Sequence, residues 1–141
     1  MTYVLDASAL LRFLENESGA IQVEALIKQA KQGEITTLMS AVNWSEILHY
    51  VLRKHGPAAM RSIESRLQSV QITILAVDAV GAAQAAEFRH QHQVPFADAF
   101  AGATAEQNRA TLMTADYDFH GLKTSFKINL LPIKPKRNGP K

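Results

Sequence analysis

Apolar and polar positions follow two different periods along the chain. Short apolar or β-branched runs predict five strands, at residues 3–5, 35–39, 71–75, 111–114 and 127–131. Between these runs a helical period predicts six helices, one opened by Asp6 or Ser8 and the others at residues 20–32, 40–55, 57–68, 78–92 and 95–106. Strands that alternate with helices predict an α/β fold, a three-layer α/β/α sandwich with a mainly parallel central sheet.

In sheets of this kind, ligands bind beyond the carboxyl ends of the strands. The residues that directly follow strands are therefore the first candidates for function. Asp6 follows the first predicted strand, and Asp116 lies just beyond the fourth. We expect both acids at the same edge of the sheet.

The composition is that of one ordinary globular domain. The 141 residues are 47% hydrophobic and 20% charged, which supports a core and excludes a disordered chain. No apolar run reaches the ~18–20 residues that span a bilayer, so we expect no membrane segment and a cytoplasmic protein. The absence of cysteine excludes disulfides, thiolate metal ligands and Cys nucleophiles.

The net charge of +2 is unevenly distributed along the chain. Residues 134–141 carry four basic side chains and no acidic one, whereas residues 1–133 hold 11 basic and 13 acidic side chains. We expect a folded domain at residues 1–133 and a disordered basic tail at 134–141, which is either solvated or in contact with phosphates. Net charge alone does not identify a partner.

Four acidic residues stand in apolar surroundings, whereas most of the others lie in polar stretches where solvation explains them. They are Asp6, Glu46, Asp98 and Asp116. Burying an ionised carboxylate costs free energy unless a cation or strong donors compensate it, and we expect each of the four to be partly buried. If they converge on one pocket, a divalent cation must offset their repulsion, and all-oxygen ligands favour Mg²⁺ or Mn²⁺.

Each of these acids also has an ordinary structural explanation. Asp6 could cap the helix that follows it, Glu46 could be an exposed helix residue, and the acids near position 116 could be turn residues. Helical spacing places Asn43, Glu46 and Tyr50 on one polar stripe, which suits a ligand beside an orienting amide. The set of four, rather than any single member, favours a metal site.

Four sequence blocks resemble the motifs of the PIN-domain family, and within it the VapC-type toxins of bacterial toxin–antitoxin pairs. They are VLDAS at residues 4–8, MSAVNWSE at 39–46, PFADAF at 95–100 and LMTADYDF at 112–119. The order and spacing of these blocks over nearly the whole domain carry the resemblance. The resemblance implies a parallel sheet flanked by helices and Mg²⁺- or Mn²⁺-dependent cleavage of RNA.

The resemblance also implies roles for individual residues and for partners. It makes Asp6, Glu46, Asp98 and Asp116 the catalytic, metal-binding quartet. Small polar positions near the metal fall on Ser8, Asn43 and Thr114, and Asp118 is a further candidate that would act through water. Implied partners are a second copy of the chain in a homodimer and a VapB-type antitoxin whose C-terminal segment covers the acidic pocket.

RNA would be held through the metal and through a few basic side chains, because residues 1–133 are not basic overall. The candidates for these contacts are Arg12, Arg53, Arg61 and Arg89.

Other classes of protein fit less well. A phosphotransfer enzyme or receiver domain also has an Asp after its first strand, but it needs further acids near position 8, where Ser8 stands. Zinc hydrolysis and serine hydrolysis are disfavoured because the chain contains neither H-E-x-x-H nor G-x-S-x-G. A catalytically silent PIN fold that binds RNA or protein stays open as the alternative function.

Overall fold

The computed structural model describes residues 1–133, and the basic tail predicted at 134–141 lies outside the described residues. The strands are β1 (Thr2–Leu5), β2 (Thr36–Ser40), β3 (Ile72–Leu75), β4 (Thr111–Thr114) and β5 (Ile128–Leu130). The helices are α1 (Ala7–Leu14), α2 (Ala20–Lys31), α3 (Ala41–His55), α4 (Pro57–Arg66), α5 (Ala79–His92) and α6 (Phe96–Gln107). Short 3₁₀ helices at Leu67–Val70 and Tyr117–Phe119 were not predicted, and the first of them replaces the end of the helix expected at 57–68.

All five strands run parallel in one sheet, in the order β3-β2-β1-β4-β5. β1 is central, and its Val4 is in register with Leu38 of β2 and Leu112 of β4. The chain builds the sheet in one direction from β1 to β3 and then returns to the other side of β1 with β4. This reversal creates a switch point between β1 and β4, where neighbouring connections leave towards opposite faces and open a crevice.

Successive side chains on the central strands point to opposite faces of the sheet, which gives two separate cores. Leu5, Met39 and Met113 pack against the layer that contains α1 to α4. Val4, Leu38 and Leu112 pack against α5 and α6. The predicted three-layer α/β/α sandwich is therefore confirmed, and its parallel sheet is buried on both faces.

α5 and α6 approach closely at one glycine. The ring of Phe88, 2% exposed, lies directly over Gly102, where a Cβ atom would overlap it. A helix-disfavouring residue is thus used to bring two helix backbones together beside the sheet. None of the helices within residues 1–133 has the length and hydropathy needed to cross a membrane.

Arg12 is buried and holds main-chain carbonyl groups, so the expectation that it contacts RNA is wrong. The residue is 8% exposed, and Nη1 donates hydrogen bonds to the carbonyl oxygens of Ser18 at 2.6 Å and Pro132 at 2.8 Å. Arg12 therefore ties α1 to the segment that follows β5.

Candidate metal centre

Asp6 lies where β1 ends and α1 begins, on the β1 side of the switch point. Its carboxylate accepts hydrogen bonds from the amide of Ala7 at 2.8 Å, Ser8 Oγ at 2.9 Å and Thr114 Oγ1 at 2.8 Å. The amide contact makes Asp6 the N-cap of α1, so the structural explanation and the site assignment both apply. The side chain is 1% exposed.

Two hydroxyl groups join the ends of β1 and β4. Thr114 Oγ1 donates to Asp6 and accepts from the amide of Asp116 at 3.0 Å. Ser8 Oγ donates to Asp6 and accepts from the amide of Ala115 at 2.9 Å. The carboxylate of Asp6 is therefore held from two sides, by Ser8 of α1 and by Thr114 at the end of β4, whose hydroxyl oxygens lie 3.2 Å apart.

Asp116 and Asp98 complete a cluster with Asp6. Asp116 caps the 3₁₀ turn by accepting from the amide of Asp118 at 2.9 Å. Asp98 lies in the first turn of α6, is buried, and has an Oδ2 atom without a hydrogen-bond partner among the described residues. One carboxylate oxygen from each of the three residues lies within 4.8 Å of the other two.

The cluster is electrostatically strained when no cation is bound. Burial raises the pKa of Asp98 to about 9, assisted by the hydrogen bond that its carboxyl group makes with Asp116 when protonated and by the charges of Asp6 and Asp116. Burial also raises the pKa of Asp6 to about 6, although the hydrogen bonds from Thr114 and Ser8 oppose the rise. A cation bound among these carboxylates would offset the cost of ionising them.

Glu46 lies on the opposite wall of the crevice, on α3, and it is exposed rather than partly buried as expected. It is not part of the cluster of three mutually close oxygens, although its charge helps to raise the pKa of Asp6. The apolar sequence around Glu46 reflects the buried side of α3, whereas Glu46 itself points into the open mouth of the crevice.

Asn43 orients Glu46, as the predicted polar stripe suggested. Its Nδ2 donates to Glu46 Oε1 at 3.0 Å and to the carbonyl oxygen of Ala97 at 3.1 Å. Asn43 is completely buried, so it joins α3 to the start of α6, beside Asp98.

The four predicted acids line one open cavity of about 330 Å³. The remaining lining residues are Ala7, Ser8, Leu11, His49, Tyr50 and Arg53. Asp118 is exposed and does not line the cavity, but its amide N–H donates a hydrogen bond to Asp116 and its charge helps to raise the pKa of Asp98. The sequence reasoning missed His49 as a site residue, although its position three residues after Glu46 is the helical spacing that shares a face.

The fold and the site together place this chain among the parallel α/β proteins that gather carboxylates at the switch point of the sheet. The sequence model of the PIN domain matches residues 3–124. The chain belongs to the PIN domain family. This confirms the resemblance drawn from the four sequence blocks.

Solved structures with this fold include chains from toxin–antitoxin complexes. VapBC from Salmonella typhimurium bound to DNA superposes with a TM-score of 0.72 at 14% identity, over 92% of this chain and 97% of that chain. VapBC2 from Rickettsia felis, bound to a promoter DNA fragment, gives 0.70 at 17% identity, over 94% of this chain and 100% of that chain.

The fold is also similar to that of VapC20 from Mycobacterium tuberculosis, a toxin that cleaves the sarcin–ricin loop. The TM-score is 0.65 at 16% identity, over 83% of this chain and 92% of that chain. No curated protein matches the chain significantly in sequence.

Proposed function

We propose that the protein is a Mg²⁺- or Mn²⁺-dependent endoribonuclease that hydrolyses phosphodiester bonds in RNA. The observation that carries this proposal is the approach of oxygens from Asp6, Asp98 and Asp116 to within 4.8 Å of one another at the switch point of the sheet. Such a cluster of carboxylates is stable in ionised form only when a cation offsets its charge. The similarity to a toxin that cleaves the sarcin–ricin loop favours RNA as the substrate.

The donor set fits a hard divalent cation. The close cluster consists of carboxylate oxygens only, which is the ligand type that Mg²⁺ and Mn²⁺ prefer, and the unpartnered Oδ2 of Asp98 is available as a ligand. Asp6, Asp98 and Asp116 would hold the ion, and Glu46 lines the same cavity. When bound, the cation supplies a more acidic water and neutralises negative charge that develops on the scissile phosphate.

The other residues of the site orient these carboxylates. Ser8 and Thr114 hold Asp6 with hydroxyl hydrogen bonds, and Asn43 holds Glu46. Because Glu46 is exposed to the cavity, it is able to accept a proton from a water molecule that attacks the phosphate.

The biological role that fits this activity is that of a VapC-type toxin. Its partners would be a VapB-type antitoxin that covers the acidic cavity, a second copy of the chain in a homodimer, and RNA. The similarity of the fold to chains from several VapBC complexes supports this role. Such a toxin acts on cytoplasmic RNA.

RNA cleavage tests the catalytic proposal directly. Wild-type protein is compared with Asp6→Asn, Asp98→Asn and, as an exposed acid remote from the site, Glu64→Gln. We expect cleavage by wild type and Glu64→Gln in Mg²⁺ or Mn²⁺, none in EDTA, and a loss of at least ~100-fold in both Asp variants. Equal cleavage by all four proteins would reveal a contaminating nuclease and refute the assignment.

The second candidate function is a PIN fold that binds without cutting. The exposed position of Glu46, away from the three close carboxylates, is the observation that keeps this function in view. Titration calorimetry with Mn²⁺ separates the two candidates, because a silent module has no need of a cation. Absence of both cleavage and Mn²⁺ binding would favour the binding module.

A further inference from the structure

One wall of the acidic cavity is formed by a stripe on α3. Glu46, His49, Tyr50 and Arg53 follow one another at intervals of three, one and three residues and all line the cavity. This spacing keeps the four side chains on one face of the helix. Among the lining residues, Arg53 is the only one that carries a permanent positive charge.

Arg53 has no hydrogen-bond or ion-pair partner within residues 1–133, whereas the adjacent Lys54 has two. Lys54 Nζ donates to Tyr50 Oη at 2.9 Å and pairs with Glu15 Oε2 at 3.5 Å. Arg53 is exposed and makes no hydrogen bond or ion pair within residues 1–133. An exposed arginine that lines an acidic cavity and has no partner within residues 1–133 is available to an anionic ligand.

We propose that Arg53 binds an RNA phosphate next to the scissile one and so fixes the path of the strand along α3. This inference rests on the proposed ribonuclease function. Arg53 is the seventh residue after Glu46 on α3, which places it about 10 Å further along the helix axis. Arg53 therefore reaches a neighbouring phosphate, while the scissile phosphate lies at the carboxylates.

The physical need for this contact follows from charge. A polyanion that approaches four carboxylates is repelled unless fixed positive charge guides it. Arg61 is exposed on α4 but does not line the cavity, and Arg89 lies over the ring of Phe96 at 5.8 Å. Arg53 is thus the arginine that the structure selects from the sequence-based candidates.

A basic residue in the last turn of a helix also has an ordinary explanation. Arg53, Lys54 and His55 all lie in the last turn of α3, where positive charge stabilises the helix end. Only Arg53 of these three lines the cavity. Lys54→Gln is therefore the control for charge at the helix end, and Arg61→Gln is the control for net charge.

The test measures RNA binding separately from cleavage. Arg53→Gln, Arg53→Lys, Lys54→Gln and Arg61→Gln are each combined with Asp98→Asn, so that the RNA survives. Binding of a labelled RNA that wild type cleaves is followed by fluorescence anisotropy in Mn²⁺ over a range of salt concentrations. The single variants, with Asp98 intact, give kcat and KM.

We expect Arg53→Gln to weaken binding about tenfold and to reduce the slope of log K against log salt by about 0.7. Arg53→Lys keeps most of the slope because it keeps the charge. KM rises while kcat changes little, since the contact is made equally in the ground and transition states. Both control variants bind as the Asp98→Asn parent does.

The outcomes separate this inference from the proposed function. If wild type cleaves RNA and Asp98→Asn abolishes cleavage, but Arg53→Gln matches Arg61→Gln in affinity and salt slope, only the Arg53 contact is wrong. If wild type neither cleaves nor binds RNA, the ribonuclease proposal fails and the Arg53 contact fails with it. Loss of helical circular dichroism in Arg53→Gln but not in Arg53→Lys would assign Arg53 a structural role instead.

Discussion

At the scale of single residues, structure and function share the same side chains. Asp6 caps α1 through the amide of Ala7, and it also presents its carboxylate to Asp98 and Asp116. The hydroxyls of Ser8 and Thr114 stabilise this carboxylate but do not offset its burial, since its pKa is still raised to about 6. The centre therefore stores unfavourable electrostatic free energy in the metal-free protein.

The first prediction concerns the stability of the metal-free protein. The pKa of Asp98 in the folded chain, about 9, lies above its usual value of 3.8, so the folded protein binds this proton more tightly than the unfolded chain. The resulting stability is complete below pH ~4 and is lost as the pH rises towards 9, by up to ~1.4 kcal/mol per pH unit. Asp98→Asn removes this loss.

In EDTA, we therefore expect Asp98→Asn to be more stable than wild type by about 1–3 kcal/mol at pH 8, and by less at pH 5. Urea unfolding at both pH values measures the difference, with Glu64→Gln as the control. Saturating Mn²⁺ should reverse the order of stability, because it binds only the folded wild type strongly. A stability difference that does not change with pH would contradict this account.

Residue-scale prediction from the sequence succeeded where an acid stood alone and failed where burial had to be known. The isolation of Asp98 among small apolar residues reflects its real burial. Glu46 has equally apolar neighbours but is exposed, because a helix turns successive residues towards different environments. From the sequence alone, Arg12 is expected to face solvent. Its contacts with Ser18 and Pro132 are not predictable locally, because Pro132 is 120 residues away in the chain.

At the scale of elements, the site depends on how helices meet above the sheet. α6 delivers Asp98, and its position is fixed on one side by Asn43 of α3 and on the other by the packing of Phe88 of α5 onto Gly102. Strand and helix positions were predictable to within about two residues from periodicity and capping. The contact between Phe88 and Gly102 was not predictable, because the sequence of one helix does not show which other helix packs against it.

The second prediction tests this helix crossing. Gly102→Ala should destabilise the protein by about 1–3 kcal/mol, because the added methyl group overlaps the ring of Phe88. The effect opposes helix propensity, which favours Ala over Gly by ~1 kcal/mol. Urea unfolding measures it.

Gly81→Ala is the matched control within α5. A Cβ atom at position 81 meets its nearest neighbour, Asp78 Oδ1, at 3.4 Å, which is an ordinary contact. We expect no destabilisation, or a gain of up to ~1 kcal/mol. Equal effects of the two substitutions would show that the approach of α5 to α6 is not limited by Gly102.

At the scale of the whole molecule, the buried side chain of Arg12 connects the two ends of the described chain. Arg12 of α1 holds the carbonyl oxygen of Pro132, 120 residues away. Leu131, the residue before Pro132, packs in the core that the sheet forms with α1 to α4, so the contact lies on that face of the sheet. Arg12 thus fastens the last part of the described chain to the first helix.

The third prediction separates this role from RNA binding. Arg12→Met should lower the free energy of unfolding by about 2–4 kcal/mol, because two part-buried hydrogen bonds from a charged donor are lost. The salt dependence of RNA binding should stay as in wild type, in contrast to Arg53→Gln. Urea unfolding and anisotropy measure the two properties, and an altered salt slope with unchanged stability would reverse the assignment.

Because β1 pairs with β4, the carboxylate cluster forms late during synthesis of the chain. Asp6 and Glu46 are made early, but Thr114, which orients Asp6, and Asp116 belong to the last quarter of the chain. No fragment that ends before β4 contains the carboxylate cluster. If the protein cleaves RNA as proposed, its nascent chain therefore has no active centre until the ribosome has translated the residues that follow β4.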